Sequence, residues 1–265
     1  MPIQDKIEVA AIERFALSVT VPIFREDGDS VVLLATGTLF KIEGRAFLIT
    51  ARHIFDHVDP ATLAYPEKPL GGAINTFGHA NILKPIEVHV DVAVIELLDP
   101  ETVQRFDENW QYLTLENVAK ASKNTHGGSC FFSGYPASLI RNDDGWTKGK
   151  FVTVYTQRIP SVPPEASHPV TPGLDLFYDY GYEGTSLSGE TVRTPELPGV
   201  SGASIWELAP NAPLVWSAEA VTRVVGIQSA FIHSKYIRAM SWLAVAKVLE
   251  QSDEQLALAV RSKII

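Results

Sequence analysis

Short apolar segments separated by turn residues dominate the first fifty positions of the chain. Residues 31–34, 37–42 and 45–50 are mostly apolar or β-branched, as strands are, whereas residues 26–29 (Glu-Asp-Gly-Asp) and 43–44 (Glu-Gly) are typical of turns. Strands joined by such short turns pair in antiparallel order, without the long crossover that parallel strands need. The pattern therefore predicts an antiparallel meander and favours an all-β fold.

Two segments near the ends of the chain have helical spacing instead. Apolar residues recur every three or four positions in residues 6–16 and again in residues 241–250. We expect a short N-terminal helix and an amphipathic C-terminal helix that packs on the second half of the chain.

The middle of the chain divides the strand-rich segments into two groups. Residues 56–81 are rich in Pro, Gly and Ala and are predicted to form a surface loop, and residues 82–97 resume the strand pattern. The polar stretch 99–123 then links two halves, with a boundary near residues 117–125. Further strands are predicted at residues 127–136, 151–158, 174–182, 203–207 and 221–231, and a proline-rich loop at 159–172.

Composition and charge limit the class of protein. With 265 residues, 46% of them hydrophobic, the chain is long enough to bury one or two cores. Its 22 basic and 31 acidic residues give a net charge of -9, which argues against a nucleic acid or an anionic membrane as partner.

Cysteine content and the amino-terminal sequence bear on the compartment. Cys130 is the single cysteine, so no intrachain disulfide can form and the disulfide-stapled secreted class is disfavoured. The N-terminal residues lack a basic segment followed by an apolar one, and no run of about 18 apolar residues occurs. We expect a soluble, cytoplasmic protein.

One serine is presented in the way that a nucleophile requires. Ser201 lies between Gly199 and Gly202 and is followed by an apolar strand. A serine hydroxyl is a poor nucleophile at neutral pH, so it needs a base to take its proton and donors to hold the oxyanion that forms. Glycines on either side let the backbone turn sharply and direct its N–H groups inward.

Two upstream residues have the chemistry that Ser201 lacks. His53 follows the apolar run 47–49 at the end of a predicted strand, and Asp91 opens a Val/Ile-rich strand. Burying a carboxylate is costly unless it has a hydrogen-bond partner, and His53 is the natural one.

Three short segments resemble the three motif blocks of the chymotrypsin-like (trypsin-like) serine proteases, in their compact bacterial form. In chain order they are residues 50–53 (Thr-Ala-Arg-His), 91–94 (Asp-Val-Ala-Val) and 199–202 (Gly-Val-Ser-Gly). The resemblance extends over residues 36–239, most of the chain. It implies a fold of two packed, six-stranded antiparallel β-barrels with a C-terminal helix.

The resemblance also implies a division of labour between the two barrels. Residues 1–120 would form the barrel that carries His53 and Asp91, and residues 121–265 the barrel that carries Ser201, together with the C-terminal helix. The implied activity is that of a serine endopeptidase, which hydrolyses protein or peptide substrates through an acyl-enzyme without a metal or cofactor.

Each site residue takes its expected role from the resemblance. His53 would be the general base and then the general acid, Asp91 would orient it, and Ser201 would be the nucleophile. The N–H groups of Gly199 and Ser201 would form the oxyanion hole.

The expected substrate-binding residues lie close to the nucleophile in sequence or in the family pattern. The strand containing Ser229 would pair with the substrate backbone, with Ser229 near Asp91 and with Ala230 and Phe231 at the pocket entrance. Glu196, at the base of the pocket, would favour a substrate Lys or Arg. The alternative for Glu196 is an exposed loop residue.

Other residues of the same types are weaker candidates. His57, Asp56 and Asp59 fall in the predicted loop after the histidine strand, and no apolar strand follows the second Ser/Gly cluster at residues 186–189. Cys130 lies in an apolar run and is interpreted as a core residue. The histidines show no paired metal-ligand spacing apart from His53 and His57, and that pair is better explained by the triad.

Two further functional readings stay open. Val200 stands where secreted trypsins carry the aspartate that pairs with a newly cut amino terminus, so activation by that ion pair is not available to this chain. The chain is alternatively a binding module with a protease fold, or a latent protease that needs a regulatory partner to order residues 184–198.

Overall fold

The computed structural model describes residues 3–28, 30–120, 129–143, 146–186, 188–209 and 215–264. The helices are α1 (Ile3–Val19), α2 (Pro100–Asn109), α3 (Ala218–Val221), α4 (Trp242–Leu249) and α5 (Glu254–Ile264). The strands of the first half are β1 (Thr20–Asp27), β2 (Ser30–Ile42), β3 (Arg45–Thr50), β4 (Leu63–Lys68), β5 (Gly71–Thr76), β6 (Ala80–Leu83) and β7 (Ala93–Leu97). Those of the second half are β8 (Ser129–Gly134), β9 (Arg141–Asp143), β10 (Trp146–Lys148), β11 (Val152–Ile159), β12 (Asp175–Asp179), β13 (Glu183–Thr185), β14 (Thr191–Arg193), β15 (Ser204–Leu208), β16 (Thr222–Ile232) and β17 (Tyr236–Ser241).

The first half is an antiparallel sheet in the order β5-β4-β1-β2-β3-β7-β6. It has seven strands, one more than the six-stranded barrel that the family resemblance implied. The meander predicted from the turn pattern is present as β1, β2 and β3, but residues 31–34 and 37–42 belong to the single strand β2. A single long strand forms because residues 30–42 contain no break, and their buried positions concentrate in the second half of the strand.

The prediction of a surface loop over residues 56–81 is wrong, because this segment contributes β4, β5 and the start of β6. Leu63, Ala64 and Tyr65 are 2%, 0% and 0% exposed, so β4 begins with a continuous buried run, although the Pro and Gly content of the segment favoured a loop. Pro66 lies where the register between β4 and β5 shifts, the kind of irregularity at which a strand tolerates proline.

The second half contains a closed antiparallel barrel in the strand order β11-β12-β17-β16-β15-β8. Its interior is an apolar cluster that includes Phe132, Tyr178, Ile205 and Ala239. The all-β class and the six-stranded second barrel thus agree with the prediction. Residues 194–203 lead from β14 into β15, so the Ser201 segment enters the barrel from a loop.

A continuous apolar core joins the two halves and the helices. Phe40 of the first sheet packs on Trp242 of α4 at a ring distance of 4.6 Å, and Phe131 stacks on Trp206 inside the second half at 5.8 Å. Helix α1 is longer than the predicted 6–16, and it presents Ile12 and Ala16 to this core. The two halves are thereby held in fixed contact, as a site shared between them requires.

The proposed domain boundary falls partly outside the described residues. The proposed domain boundary at 117–125 and the division into 1–120 and 121–265 stay predictions, since residues 121–128 lie outside the described residues. Among the described helices, none combines the length and the apolar character needed to cross a membrane.

Candidate active site

His53 lies directly after strand β3, in a 3-10 helix formed by Arg52–Phe55. Ala51 is extended (φ -77°, ψ 143°) and continues the direction of the strand. Ile54 and Phe55 are buried in the core of the N-terminal sheet and anchor the turn. The His53 side chain remains 43% exposed, so its imidazole is accessible from the surface.

Asp91 contacts His53 at two points. Its Oδ2 lies 2.7 Å from His53 Nδ1, and its Oδ1 accepts a hydrogen bond from the His53 backbone N–H at 2.8 Å. The residue lies between the buried Val90 and Val92, which fix its backbone. Strand β7 begins at Ala93, two residues after Asp91, so the aspartate precedes the strand that it was predicted to open.

This contact determines the protonation of the imidazole. Because Nδ1 faces a carboxylate, it carries the ring proton, and Nε2 is left free to accept one. The hydrogen bond that His53 donates to Asp91 raises the pKa of His53 above its ordinary value of 6.5; burial opposes the rise, and the charges of Asp91 and Asp56 add to it. The result is a base of increased strength with its free nitrogen defined.

Ser201 lies on a tight turn between Leu197 and Ala203. The Val200 N–H donates to Leu197 O and the Ala203 N–H donates to Val200 O, both at 2.9 Å. The Ser201 carbonyl accepts from the Thr36 N–H at 2.9 Å, which attaches the turn to strand β2 of the other half.

The two glycines of the motif fit spaces that no side chain can share. Gly199 and Gly202 have φ of +89° and +90°, a region that residues with a Cβ rarely adopt. A Cβ on Gly202 would lie 2.2 Å from both Thr36 O and Thr50 Oγ1 and 2.7 Å from the Ala51 N. The turn therefore rests on the end of β3, two residues before His53.

Ser201 and His53 lie on two segments that pack against each other. No hydrogen bond joins the two residues in the described part of the chain, although Gly202 packs against Ala51. Catalytic hydrogen bonds are often long in structures without substrate and tighten when the substrate binds. The structure thus places the Ser201 turn against the segment of His53, and the described residues contain no hydrogen bond between the two side chains.

The N–H groups of Gly199 and Ser201 are free to bind a ligand. Within the described residues, neither group donates to an acceptor, whereas the intervening Val200 N–H is used by the turn. Two neighbouring unpaired N–H donors on one turn are groups that can bind an oxygen anion.

Thr36 organises this turn, and sequence analysis did not identify it. Its Oγ1 donates to Gly199 O at 2.8 Å and accepts from the Tyr135 N–H at 3.3 Å, and its own carbonyl accepts from Thr50 Oγ1 at 2.8 Å. Thr36 is fully buried. The signal available in the sequence was a pair of threonines, Thr36 and Thr38, in a mostly apolar strand, which indicates buried polar contacts.

The three residues of strand β16 that we expected to bind substrate differ in their burial. Ser229 is buried, and its Oγ donates to Arg238 O at 3.2 Å; within the described chain no hydrogen bond joins it to Asp91. Ala230 is exposed and Phe231 is partly buried against the barrel core. The register of β16 shifts between Gln228 and Ala230, which releases the Ser229 side chain from the regular alternation.

Glu196 is exposed, and its neighbour Leu197 is fully buried in the barrel cluster. Leu197 therefore takes the inward position that we expected for Glu196 at the base of a pocket. The turn before it is held by the Tyr180 hydroxyl, which donates to Pro195 O. This arrangement supports the alternative interpretation of Glu196 as a loop residue.

The remaining candidates are not assembled into a site. His57, Asp56 and Asp59 are all exposed, and Asp56 is engaged by Arg52 at 2.8 Å. Burial raises the pKa of the Cys130 thiol to about 11, which leaves it without thiolate character at neutral pH. Among the described residues, no group of His, Cys, Asp or Glu is arranged to hold a metal ion.

Comparisons with known proteins find this fold but no sequence relative. No family model matches the chain, and neither does any curated protein. The scabies mite inactivated protease paralogue S-I1 is similar in structure, with 12% identity and a TM-score of 0.54 over 90% of this chain and 96% of that one. A structure from a study of the intrinsically disordered VPg protein of Sesbania mosaic virus is similar at 15% identity, with a TM-score of 0.50 over 89% and 92%. At these identities the likeness shows the fold alone.

Proposed function

We propose that this chain is a serine endopeptidase that cleaves peptide bonds through a covalent acyl-enzyme. The observation that supports the proposal most strongly is the two-point contact between Asp91 and His53, at the end of the strand against which the Ser201 turn packs. A histidine with Nδ1 on a carboxylate and Nε2 free is the base that a serine nucleophile requires.

In the proposed reaction, Ser201 Oγ attacks the carbonyl carbon of the scissile bond, and His53 Nε2 takes the hydroxyl proton. The new C–O bond forms a tetrahedral intermediate, and its collapse breaks the C–N bond as His53 returns the proton to the departing amine. Water then adds to the acyl carbon with His53 again as base, and release of the carboxylic acid restores Ser201. Asp91 stabilises the positively charged imidazole at each transfer.

The negative charge that develops on the carbonyl oxygen would bind to the Gly199 and Ser201 N–H groups. Both donors are unpaired among the described residues, so they need not break a bond before use. Donors that are already oriented stabilise the transition state without a cost of reorganisation. Thr36 supports them through its bonds to Gly199 and Ser201.

The substrate backbone would add to the open edge of strand β16. Strand β15 pairs with β16 only from Thr222 to Ile227, whereas β17 pairs with it as far as Ile232. Residues 229–232 therefore have a strand on one side only within the described chain. An extended peptide that pairs with such an edge is a common mode of recognition.

A binding module with a protease fold is the second candidate. Two observations favour it: no hydrogen bond joins Ser201 to His53 in the described residues, and a protein of similar fold is named as an inactivated protease. This candidate predicts capture of a peptide or protein without turnover.

Hydrolysis of a peptide library separates the two candidates. Wild type should cleave, and Ser201→Ala should lose about 10⁴-fold or more of the activity. Ser188→Ala is the matched control, since Ser188 is an exposed loop serine bonded to Ser186 and should leave the rate unchanged. Equal activity in wild type and Ser201→Ala, or none in either, would overturn the proposal.

A further inference from the structure

Gln228 is a buried amide with no partner. The residue is 0% exposed, and neither its Nε2 nor its Oε1 has a hydrogen-bond partner in the described part of the chain. Buried polar groups are almost always paired, because an unpaired one loses its bonds to water and gains nothing. Both polar atoms of this amide are therefore available to a ligand.

The strand register directs this side chain into the barrel. Gln228 pairs with Ala239 on β17, and Ala239 belongs to the cluster inside the barrel. The preceding Ile227 pairs with Met240, and both belong to the core cluster shared with the first half. Since neighbouring residues of a strand face opposite sides, Gln228 faces the barrel interior.

The backbone of Gln228 binds the nucleophile turn directly. Its carbonyl accepts from the Gly202 N–H and its N–H donates to Ala203 O, both at 2.8 Å. These are the two residues that follow Ser201. The substrate residue whose carbonyl is attacked must lie against this turn, and its side chain therefore comes within reach of Gln228.

The residues that pair with Gln228 have no polar side chain, so we expect the Gln228 amide to make the polar contacts with a substrate side chain. Ala203, which accepts the Gln228 N–H bond, and Ala239, which pairs with Gln228 on β17, are small and apolar. A primary amide offers donors on Nε2 and an acceptor on Oε1. A carboxylate would satisfy only the donors and an ammonium only the acceptor, whereas a second amide satisfies both.

We propose that Gln228 selects substrates with an uncharged amide side chain, glutamine or asparagine, at the residue whose carbonyl Ser201 attacks. This inference rests on the proposed function for the placement of the peptide. The sequence led us to expect that Glu196 would select a substrate Lys or Arg. Glu196 is exposed, and the proposal for Gln228 replaces that expectation. Sites that hydrogen-bond a substrate side chain discriminate strongly, because an analogue without the matching groups leaves buried polar atoms unpaired.

The test measures binding separately from hydrolysis. Acetylated hexapeptides of one sequence that end in Gln, Glu or Leu are titrated into the full-length wild type, Gln228→Met and Gln157→Met. Methionine keeps the unbranched shape without the amide, and Gln157 is an exposed glutamine of the same barrel. Wild type and Gln157→Met should bind the Gln peptide about 10- to 100-fold more tightly than the others, and Gln228→Met should lose this preference.

A second measurement guards against misfolding. Gln228→Met should melt at the same temperature as wild type or above it, because the substitution removes an unpaired buried amide. A preference for Gln that persists in a folded Gln228→Met, or that is missing from wild type, would overturn the inference.

Hydrolysis of a longer peptide with an internal Gln, assayed in parallel, keeps the two proposals distinguishable. Selective binding without cleavage supports the amide site and contradicts the proposed endopeptidase. Cleavage without selectivity does the reverse.

Discussion

Asp91 holds His53 by both of its carboxylate oxygens, with Oδ2 2.7 Å from the ring Nδ1 and Oδ1 2.8 Å from the backbone nitrogen. The first bond sets the tautomer and the pKa of the imidazole, and the second fixes the backbone from which the ring projects. The aspartate therefore sets both the protonation and the position of the imidazole.

Asp91→Asn should reduce kcat/KM for peptide hydrolysis by about 10⁴-fold, because an amide at this position favours the wrong tautomer of His53. Asp59→Asn is a matched control, since Asp59 caps the Ala61 N–H, a bond that asparagine also makes. A loss of less than about tenfold in Asp91→Asn would show that the aspartate does not support the base.

The activity should depend on the ionisation of His53. The neutral ring is the active form, and Asp91 raises its pKa above 6.5, so kcat/KM should rise with pH through a midpoint above 6.5. In Asp91→Asn the midpoint should move to lower pH. NMR titration of the His53 ring, assigned with a His53→Gln variant, measures the same pKa directly; an unshifted value in wild type would contradict the account.

The raised pKa also has a consequence for stability. Protonated His53 gains the Asp91 contact on folding, so its stabilising contribution is fully present below pH 6.5 and is lost as the pH rises through the raised pKa of the folded state. Urea unfolding of wild type and His53→Gln across this window should therefore show a difference that shrinks with increasing pH. A constant difference would exclude this linkage.

Gly202→Ala should destabilise the fold severely. The new Cβ would lie 2.2 Å from Thr36 O and Thr50 Oγ1 at a φ of +90°, and we expect the free energy of unfolding to fall by at least about 3 kcal/mol. Gly44→Ala is the control, because Gly44 has a φ of +75° but nothing within 4 Å. It should cost only the backbone strain, about 1–2 kcal/mol. Equal losses in urea denaturation would show that the turn does not pack against β3.

Thr36→Val should destabilise the protein by about 2 kcal/mol, because it leaves the buried Gly199 carbonyl and Tyr135 N–H without their partner. It should also slow acylation, since in the proposed mechanism the Gly199 N–H is one of the oxyanion donors. Thr36→Ser keeps the hydroxyl and should retain most of both properties. If Thr36→Val is as stable and as active as wild type, the hydroxyl does not hold the turn.

The features of the candidate site that depend on local sequence pattern could be predicted. Gly199 and Gly202 signalled the turn, and the positions of His53 and Asp91 beside apolar strands signalled the pair, because each of these features lies within a few residues. The prediction of a loop at residues 56–81 was wrong because a bulge at Pro66 and glycines at 71 and 72 allow a strand pair that the composition of this segment argues against. The contacts of Ser229 and Thr36 depend on pairing between distant strands, and the missing partner of Gln228 is visible only once its neighbours are known.

The most direct test of the central claim is the reaction of the folded protein with a fluorophosphonate, followed by mass spectrometry of its peptides. The account predicts one stoichiometric label on Ser201, its loss in Ser201→Ala, and a much slower reaction in His53→Ala because the base is missing. An unlabelled wild type, or a label on any other residue, would contradict the assignment of Ser201 as the activated nucleophile.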